Sequence, residues 1–168
     1  MAASPSVPHT GLGLLGMTWR PQVTPDEQAF AAMKAAVECG ATYWSSSSVY
    51  GMPPSQSPPK YPEDAPKVTL FIRACRDAAT ASPTCTRDGV RASWAECESF
   101  LGGVKKIDCF RPARIDPKVP VEETIGALKE LQDEGKIGSI GLSEVRAETI
   151  RKASAVCPIR FAEIEFSL

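Results

Sequence analysis

Apolar residues follow two spacings along this chain: short continuous runs typical of buried strands, and the three-to-four-residue spacing of amphipathic helices. The runs predict six strands, over residues 11–17, 41–44, 68–72, 107–110, 137–142 and 161–166. Helical spacing between them predicts helices over residues 25–39, 90–101, 120–134 and 147–156. This alternation predicts a parallel α/β sheet built from βαβ units.

The helix over residues 25–39 has signals at both ends. Thr24 stands in the N-cap position, Pro25 in the first helical position, and Glu27 completes a capping box. Gly40 follows the last apolar position, where helices commonly end in a left-handed residue. Residues 52–66 differ, because their six prolines forbid the crossover helix that the alternation requires there. Strands two and three are therefore expected to be joined by irregular chain.

Composition and charge narrow the function classes. The 168 residues are 43% hydrophobic, which is enough for one globular domain, expected over residues 11–168 after a Pro- and Ser-rich leader over residues 1–10. The formal net charge of -1 gives no general attraction to nucleic acid. No apolar run approaches the roughly 18 residues that cross a bilayer. We expect a cytoplasmic protein that acts on a small molecule, with no nucleic-acid or membrane partner.

Cysteine and histidine usage limits the candidate chemistry further. The six cysteines include no C-x-x-C pair, so we expect reduced, mostly buried thiols and no metal site. His9 is the only histidine and lies in the leader. Catalytic schemes that need a histidine in a folded core are therefore excluded.

The strand over residues 41–44 is followed by Ser45 to Ser48 and then by Tyr50. Loops at the carboxyl ends of parallel strands are where α/β enzymes place their chemistry. The residues alone leave two interpretations of Tyr50, a catalytic phenol or a loop aromatic that packs on the rim. Ser45 to Ser48 are expected to form a polar loop rather than to supply a nucleophile, because no base is available to activate a serine hydroxyl.

A resemblance to a known family is carried by residues 13–19, 40–51, 60–65, 102–108, 112–117 and 130–144. Together these segments resemble the aldo-keto reductase family, and most closely its fungal pyridoxal-reductase-like branch. The resemblance implies NADPH-dependent reduction of an aldehyde to an alcohol. It also implies an incomplete (β/α)₈ TIM barrel of about six parallel strands with crossover helices, two strands short of closure.

Family members use a tyrosine as proton donor, a lysine and an aspartate beside it, and a histidine that orients the carbonyl. By resemblance Tyr50 is the donor, Ser45 stands at the aspartate position, Arg73 at the lysine position and Ala113 at the histidine position. A free tyrosine titrates near 10, so a neighbouring cation is needed to help it release its proton. Arg73 keeps the charge but is not a conservative replacement for lysine; its other interpretation is a surface cation at a strand end.

The resemblance also assigns cofactor-side residues. Ser143 matches the family's contact to the nicotinamide carboxamide, Glu144 and Glu163 stand where many members have Asn and Gln, and Thr18 and Trp19 line the same pocket. From the residues alone, Ser143 is equally suited to cap the following helix. The family's phosphate contacts come from strands seven and eight, so most of the binding energy for NADPH is expected to be absent.

Two functions from different classes remain open. The first is an NADPH-dependent oxidoreductase with impaired activity on a small carbonyl substrate. The second is a non-catalytic remnant that binds a partner. Strands one and six are expected to have open edges, so we expect copies of the chain to associate through them.

Overall fold

The sheet contains six parallel strands that pair in chain order and curl into a half-barrel. The structure is a computed structural model that describes residues 10–50 and 65–166. The strands are β1 (Gly11–Gly13), β2 (Tyr43–Ser47), β3 (Thr69–Ala74), β4 (Ile107–Pro112), β5 (Ile137–Ser143) and β6 (Phe161–Glu163). The prediction of an incomplete barrel of six parallel strands is confirmed.

Described helices connect β1 to β2 and each pair of consecutive strands from β3 to β6. They are α1 (Leu15–Thr18), α2 (Asp26–Glu38), α3 (Arg87–Leu101), α4 (Val121–Asp133) and α5 (Ala147–Val156), and a 3₁₀ turn spans Ala65–Lys67. The largest apolar side chains with almost no exposed surface are Val90, Ile107, Phe110, Ile125, Leu128, Leu131, Ile137, Ile140 and Leu142. None of the helices in residues 10–50 and 65–166 is long and apolar enough to span a bilayer.

Local sequence signals explain how α3 begins and ends and which face of α4 is buried. The Thr86 side chain caps α3 by accepting a hydrogen bond from the Gly89 N–H at 3.2 Å, and Gly102 ends the helix in the left-handed conformation with φ 56°. In α4, Ile125, Leu128 and Leu131 are fully buried. The inward face predicted for this helix is therefore confirmed.

The first predicted strand is wrong beyond Gly13. The Leu14 N–H still donates to the Ser45 carbonyl at 3.0 Å, but the Met17 N–H turns back to the Leu14 carbonyl at 3.1 Å. Residues 15–18 consequently form the short helix α1 instead of continuing the strand. An apolar, glycine-rich run fits either conformation, and backbone hydrogen bonding decided between them.

Two predictions about α2 have different outcomes. Gly40 adopts φ 79°, which confirms the left-handed position after the helix. The N-cap residue is Pro25, with an extended ψ of 139° and no side-chain cap, so the prediction that Thr24 caps the helix is wrong. The Thr24 N–H donates instead to the Met17 carbonyl at 3.0 Å. The backbone of Thr24 is thus tied to α1 rather than serving as the cap of α2.

The polar ends of the strands also differ from expectation. Strand β2 continues to Ser47, because Ser45 to Ser47 pair in register with Phe71 to Arg73 of β3. The expected polar loop is therefore wrong for these serines, which belong to the sheet. Strand β6 stops at Glu163, three residues earlier than predicted. The predicted irregular segment over residues 52–66 lies outside the described residues, apart from Ala65 and Pro66.

Candidate active site

A cleft lies on the face of the sheet that the helices do not cover. It encloses about 450 Å³, within the range of about 300–1,000 Å³ typical of small-molecule pockets. The side chains that matter for its chemistry come from four different strands and one turn, and they are Ser45, Tyr50, Phe71, Arg73, Arg111 and Glu163. Curling of the sheet brings these residues together.

The turn after β2 places Tyr50 against Arg73. The Ser48 N–H and the Ser47 hydroxyl both donate to the Arg73 carbonyl at 2.9 Å, and the Tyr50 N–H donates to the Ser47 carbonyl at 3.1 Å. An Arg73 Nη2–H then donates a hydrogen bond to the Tyr50 hydroxyl oxygen. Arg73 is therefore in contact with the predicted proton donor, and it is not the surface cation that its strand-end position also allowed.

Glu163 is the carboxylate of the cleft. Its Oε2 accepts hydrogen bonds from Arg111 Nη2 at 2.6 Å and from the Ser45 hydroxyl at 3.0 Å, and its Oε1 lies 3.3 Å from Arg73 Nη1. Burial acts to raise the pKa of the Glu163 carboxyl, but Arg111, Ser45 and Arg73 outweigh it and lower that pKa below its ordinary value. Glu163 is consequently charged at neutral pH.

Arg111 is the charged site residue that sequence reasoning missed. It is 1% exposed, donates to the Ser45 hydroxyl oxygen at 3.0 Å, and holds its guanidinium carbon 5.6 Å from the centre of the Phe71 ring. The fourth strand was predicted to end at Phe110, two residues before its end at Pro112. The sequence signal that could have identified Arg111 is a charged residue directly after a buried strand. In the structure, the register of β3 and β4 places Arg111 beside Arg73.

Three aromatic rings form the apolar part of the cleft. Tyr43 and Phe161 lie 5.9 Å apart between ring centres, and Phe71 lies 5.4 Å from Tyr43 and 4.7 Å from Phe161, all in edge-to-face geometry. Along the strands, Tyr43 and Phe161 precede Ser45 and Glu163 by two residues. The cleft therefore combines an aromatic floor with a charged upper part.

The predicted cofactor-side residues differ in their surroundings. The hydroxyl oxygens of Thr18 and Ser143 are buried and have no hydrogen-bond partner among the described residues. Trp19 is 55% exposed, and its ring centre lies 6.3 Å from that of Tyr50. The N-cap of α5 is Arg146, so the alternative that Ser143 caps this helix is wrong. Thr18, Trp19 and Ser143 are not among the residues that line the cleft, so the expectation that Thr18 and Trp19 line this pocket is wrong.

Glu144 has a structural role at the end of β5. Its N–H donates to the Glu163 carbonyl at 2.9 Å, and its Oε1 accepts from the Glu165 N–H at 2.9 Å. It adopts φ 51°, a left-handed conformation unusual for a residue with a side chain. The carboxylate of Glu144 thus holds the chain that follows β6 and lies outside the residues that line the cleft.

Comparison with known proteins identifies sequence relatives. The model of the Aldo/keto reductase family matches residues 10–168. The chain is 42% identical over 166 residues to probable pyridoxal reductase 2 of Schizosaccharomyces pombe, covering 94% of this chain and 50% of that protein. It is 34% identical over 145 residues to an aldo-keto reductase of Strobilurus tenacellus, covering 86% of this chain and 43% of that protein. The chain spans about half the length of the curated relatives it matches.

Solved structures share the fold at lower identity. A thermostable aldo-keto reductase, crystallised with the inhibitor epalrestat, is similar with a TM-score of 0.75 and 22% identity, covering 95% of this chain and 58% of that chain. A glycerol dehydrogenase from Gluconobacter oxydans is similar with a TM-score of 0.70 and 18% identity, covering 91% and 50%. These likenesses establish the barrel-type fold.

Proposed function

Because this chain belongs to the aldo/keto reductase family, we propose that its cleft serves the NADPH-dependent reduction of a pyridoxal-like aldehyde to an alcohol. When bound, NADPH supplies the hydride that the carbonyl carbon accepts. The chain's own contribution is to supply a proton to the carbonyl oxygen, to exclude water and to hold the substrate ring. The observation that carries the proposal is the hydrogen bond between Arg73 and the Tyr50 hydroxyl.

Proton donation is the role of Tyr50. As negative charge develops on the carbonyl oxygen, the phenol gives up its proton, and the guanidinium of Arg73 stabilises the phenolate left behind. The Arg73 guanidinium carbon lies 5.7 Å from the centre of the Tyr50 ring, so the charge acts on the whole phenol group. This arrangement supports general acid catalysis by Tyr50.

The substrate class follows from the floor of the cleft and from sequence relatives. The Tyr43, Phe71 and Phe161 rings suit a flat aromatic aldehyde, because offset and edge-to-face ring contacts are favourable. The name of the Schizosaccharomyces pombe relative points to pyridoxal. We therefore expect kcat/KM for pyridoxal to exceed that for butanal, which offers no ring.

The residues assigned to NADPH are Thr18, Trp19, Ser143, Glu144 and Glu163. The buried hydroxyls of Thr18 and Ser143 have no hydrogen-bond partner among the described residues, but neither residue lines the cleft, so a nicotinamide carboxamide reaches them only if neighbouring side chains move. The exposed Trp19 ring beside Tyr50 offers a face on which a flat ring can stack. Glu144 and Glu163 fit less well, since both carboxylates already accept hydrogen bonds from protein groups.

Activity is expected to be low. Loss of one positioned acid–base group typically costs about 10² to 10⁴ in rate. This chain has Ser45 and Ala113 at two of the family's four positions and a guanidinium in place of an ammonium at a third. We propose that turnover persists through Tyr50 and Arg73 at a reduced rate.

The test measures cofactor binding and turnover separately. NADPH fluorescence is titrated with the purified chain, and absorbance at the NADPH band is followed with pyridoxal. Saturable micromolar binding with slow oxidation supports the proposal, and Tyr50→Phe should lower kcat at least tenfold while leaving NADPH affinity unchanged. Absence of binding at millimolar NADPH would overturn it in favour of a non-catalytic, partner-binding domain.

Self-association is proposed through the edges of the sheet. Among the described strands, β1 and β6 each pair on one side only, and each has three residues. Unpaired backbone groups at such edges favour pairing with another chain. Size-exclusion chromatography should show a species larger than a monomer, whereas a sharp monomer peak with cooperative melting would contradict the proposal.

A further inference from the structure

We propose that Glu163 is a positioning residue that supplies the carboxylate absent at position 45 and holds Arg73 against Tyr50. The inference rests on the proposed function, because it assigns Arg73 a task in proton transfer. It differs from the cofactor-side role that resemblance gives Glu163. The carboxylate reaches the cleft from β6, whereas Ser45 lies on β2 at the opposite side of the curled sheet.

The Arg73 guanidinium connects the carboxylate to the phenol. Its Nη1 lies 3.3 Å from Glu163 Oε1, and its Nη2 donates to the Tyr50 hydroxyl oxygen. Because a guanidinium is a rigid planar fork, holding one terminal nitrogen restricts where the other can lie. The carboxylate therefore helps to keep the cation in contact with the proton donor.

The second oxygen of Glu163 is held by two further groups. Oε2 accepts from Arg111 Nη2 at 2.6 Å and from the Ser45 hydroxyl at 3.0 Å. Arg111 Nη2 also donates to the Ser45 oxygen at 3.0 Å, which closes a triangle of hydrogen bonds. The Ser45 hydroxyl thus both accepts and donates, and its role is to orient the carboxylate rather than to replace it.

The buried cation explains why Glu163 remains in this position. Arg111 is 1% exposed, and a buried charge without a partner is costly, so Arg111 strongly favours a carboxylate within reach. A ligand amide that donated a hydrogen bond to Glu163 would have to share a carboxylate that three protein groups already contact. The geometry therefore favours a fixed Glu163 whose outer oxygen faces Arg73.

The experiment compares Glu163→Gln with the double variant Glu163→Gln/Ser45→Asp. Glutamine keeps the shape but removes the charge, and aspartate at position 45 returns a carboxylate where Arg111 Nη2 already approaches to 3.0 Å. Glu165→Gln is the matched control, since it removes an exposed carboxylate two residues along the chain. The readouts are kcat and KM for pyridoxal at saturating NADPH, and the midpoint of thermal unfolding.

We expect Glu163→Gln to lower kcat by about 10- to 100-fold with KM changed less than about threefold, because Tyr50 and Arg73 lose alignment while the aromatic floor is intact. Adding Ser45→Asp to Glu163→Gln should raise kcat by about tenfold or more relative to Glu163→Gln alone. The midpoint should fall on the order of 5 °C in Glu163→Gln and recover in the double variant. Glu165→Gln should match the wild type in both readouts.

The inference is overturned if Glu163→Gln keeps the kcat and the midpoint of Glu165→Gln, or if aspartate at position 45 recovers neither. Failure of the proposed function gives a different result, because every form including the wild type would then lack NADPH oxidation. In that case only the thermal unfolding midpoints test the role of Glu163. A loss in Glu163→Gln that the double variant recovers supports the role of Glu163 in holding the arginines, and equal midpoints overturn it.

Discussion

Two regions of this half-barrel follow the same alternation of strand and helix but are packed to different depths. The N-terminal region comprises residues 10–50, and the central region comprises β3 to β5 with α3 and α4. Helices α2 and α4 represent them well: both have 13 residues, a proline N-cap and two acidic residues in the first turn. Yet α4 has six buried side chains, whereas α2 has none.

The difference lies in the neighbours of each helix. Helix α4 contacts α3, α5 and β5, so apolar residues on several sides of it are covered. Helix α2 lies against β1, a three-residue strand at the edge of the sheet. Its residues Met33 and Val37 reach the core but stay partly exposed. Helical spacing therefore predicts which face turns inward, and the surrounding elements determine how deeply that face is buried.

The cleft is assembled from both regions and from β6, which contributes Phe161 and Glu163. Ser45 and Tyr50 come from the N-terminal region, whereas Arg73 and Arg111 come from strands of the well-packed central region. The cations therefore stand on the more rigidly supported side. The predictions below test this contrast, from the largest expected effect to the smallest.

Truncating one matched side chain in each helix should give the largest contrast. Leu128→Ala in α4 removes a fully buried side chain and should lower the free energy of unfolding by about 2–5 kcal/mol. Met33→Ala in α2 removes a partly exposed side chain of similar size and should cost about 1 kcal/mol. Urea unfolding of both variants measures the difference, and equal losses would refute the contrast in packing.

The helix caps offer a second matched pair. Thr86→Ala removes the hydroxyl that accepts from the Gly89 N–H and should lower the free energy of unfolding by about 1 kcal/mol. Thr24→Ala should cost less than about 0.5 kcal/mol, because Pro25 is the N-cap of α2 and makes no side-chain cap. Thermal unfolding of the two variants gives the comparison. A loss in Thr24→Ala as large as that in Thr86→Ala would show that Thr24 caps α2 in solution.

Acid titration should show how Glu163 of β6 links the two regions, since it contacts Ser45 of the first and Arg73 and Arg111 of the second. The pKa of Glu163 is lowered in the folded protein, so the carboxylate stabilises the fold above its unfolded pKa of about 4.3, and this contribution is lost as pH falls through the lower folded value. The stability advantage of the wild type over Glu163→Gln should be constant above about pH 5 and shrink on acidification. An advantage that grows in acid would contradict this sign.

Thiol labelling should distinguish the regions without any change in stability. Cys39, at the end of α2, is exposed, whereas the other five cysteines are buried, as the sequence predicted for most of them. Burial raises the pKa of Cys97 to about 12 and that of Cys109 to about 11, so both stay protonated and unreactive at neutral pH. A thiol reagent should label one cysteine promptly in the native protein and six after denaturation. Prompt labelling of Cys97 would show that the central region opens readily.

The order of elements could be predicted from the sequence because its signals are local. Hydrophobic spacing identified the inward face of α4, and Gly40 correctly marked the end of α2. Boundaries failed where the local pattern fitted two conformations, as at residues 14–18, or where pairing extended a polar segment into the sheet, as at Ser45 to Ser47. A local backbone hydrogen bond from Met17 to Leu14 made the decision at the first place, and pairing with β3 made it at the second.

For the site, residue order and family resemblance determined that Tyr50 and Arg73 were candidates. Only the tertiary structure decided that Arg111 belongs with them and that Glu163 bridges the two arginines. Ser45 and Glu163 are 118 positions apart in the chain, yet their side chains are 3.0 Å apart, because the curled sheet brings β2 and β6 to the same cleft. Local patterns encode the strands, whereas the partners of each charge depend on how those strands are arranged in space.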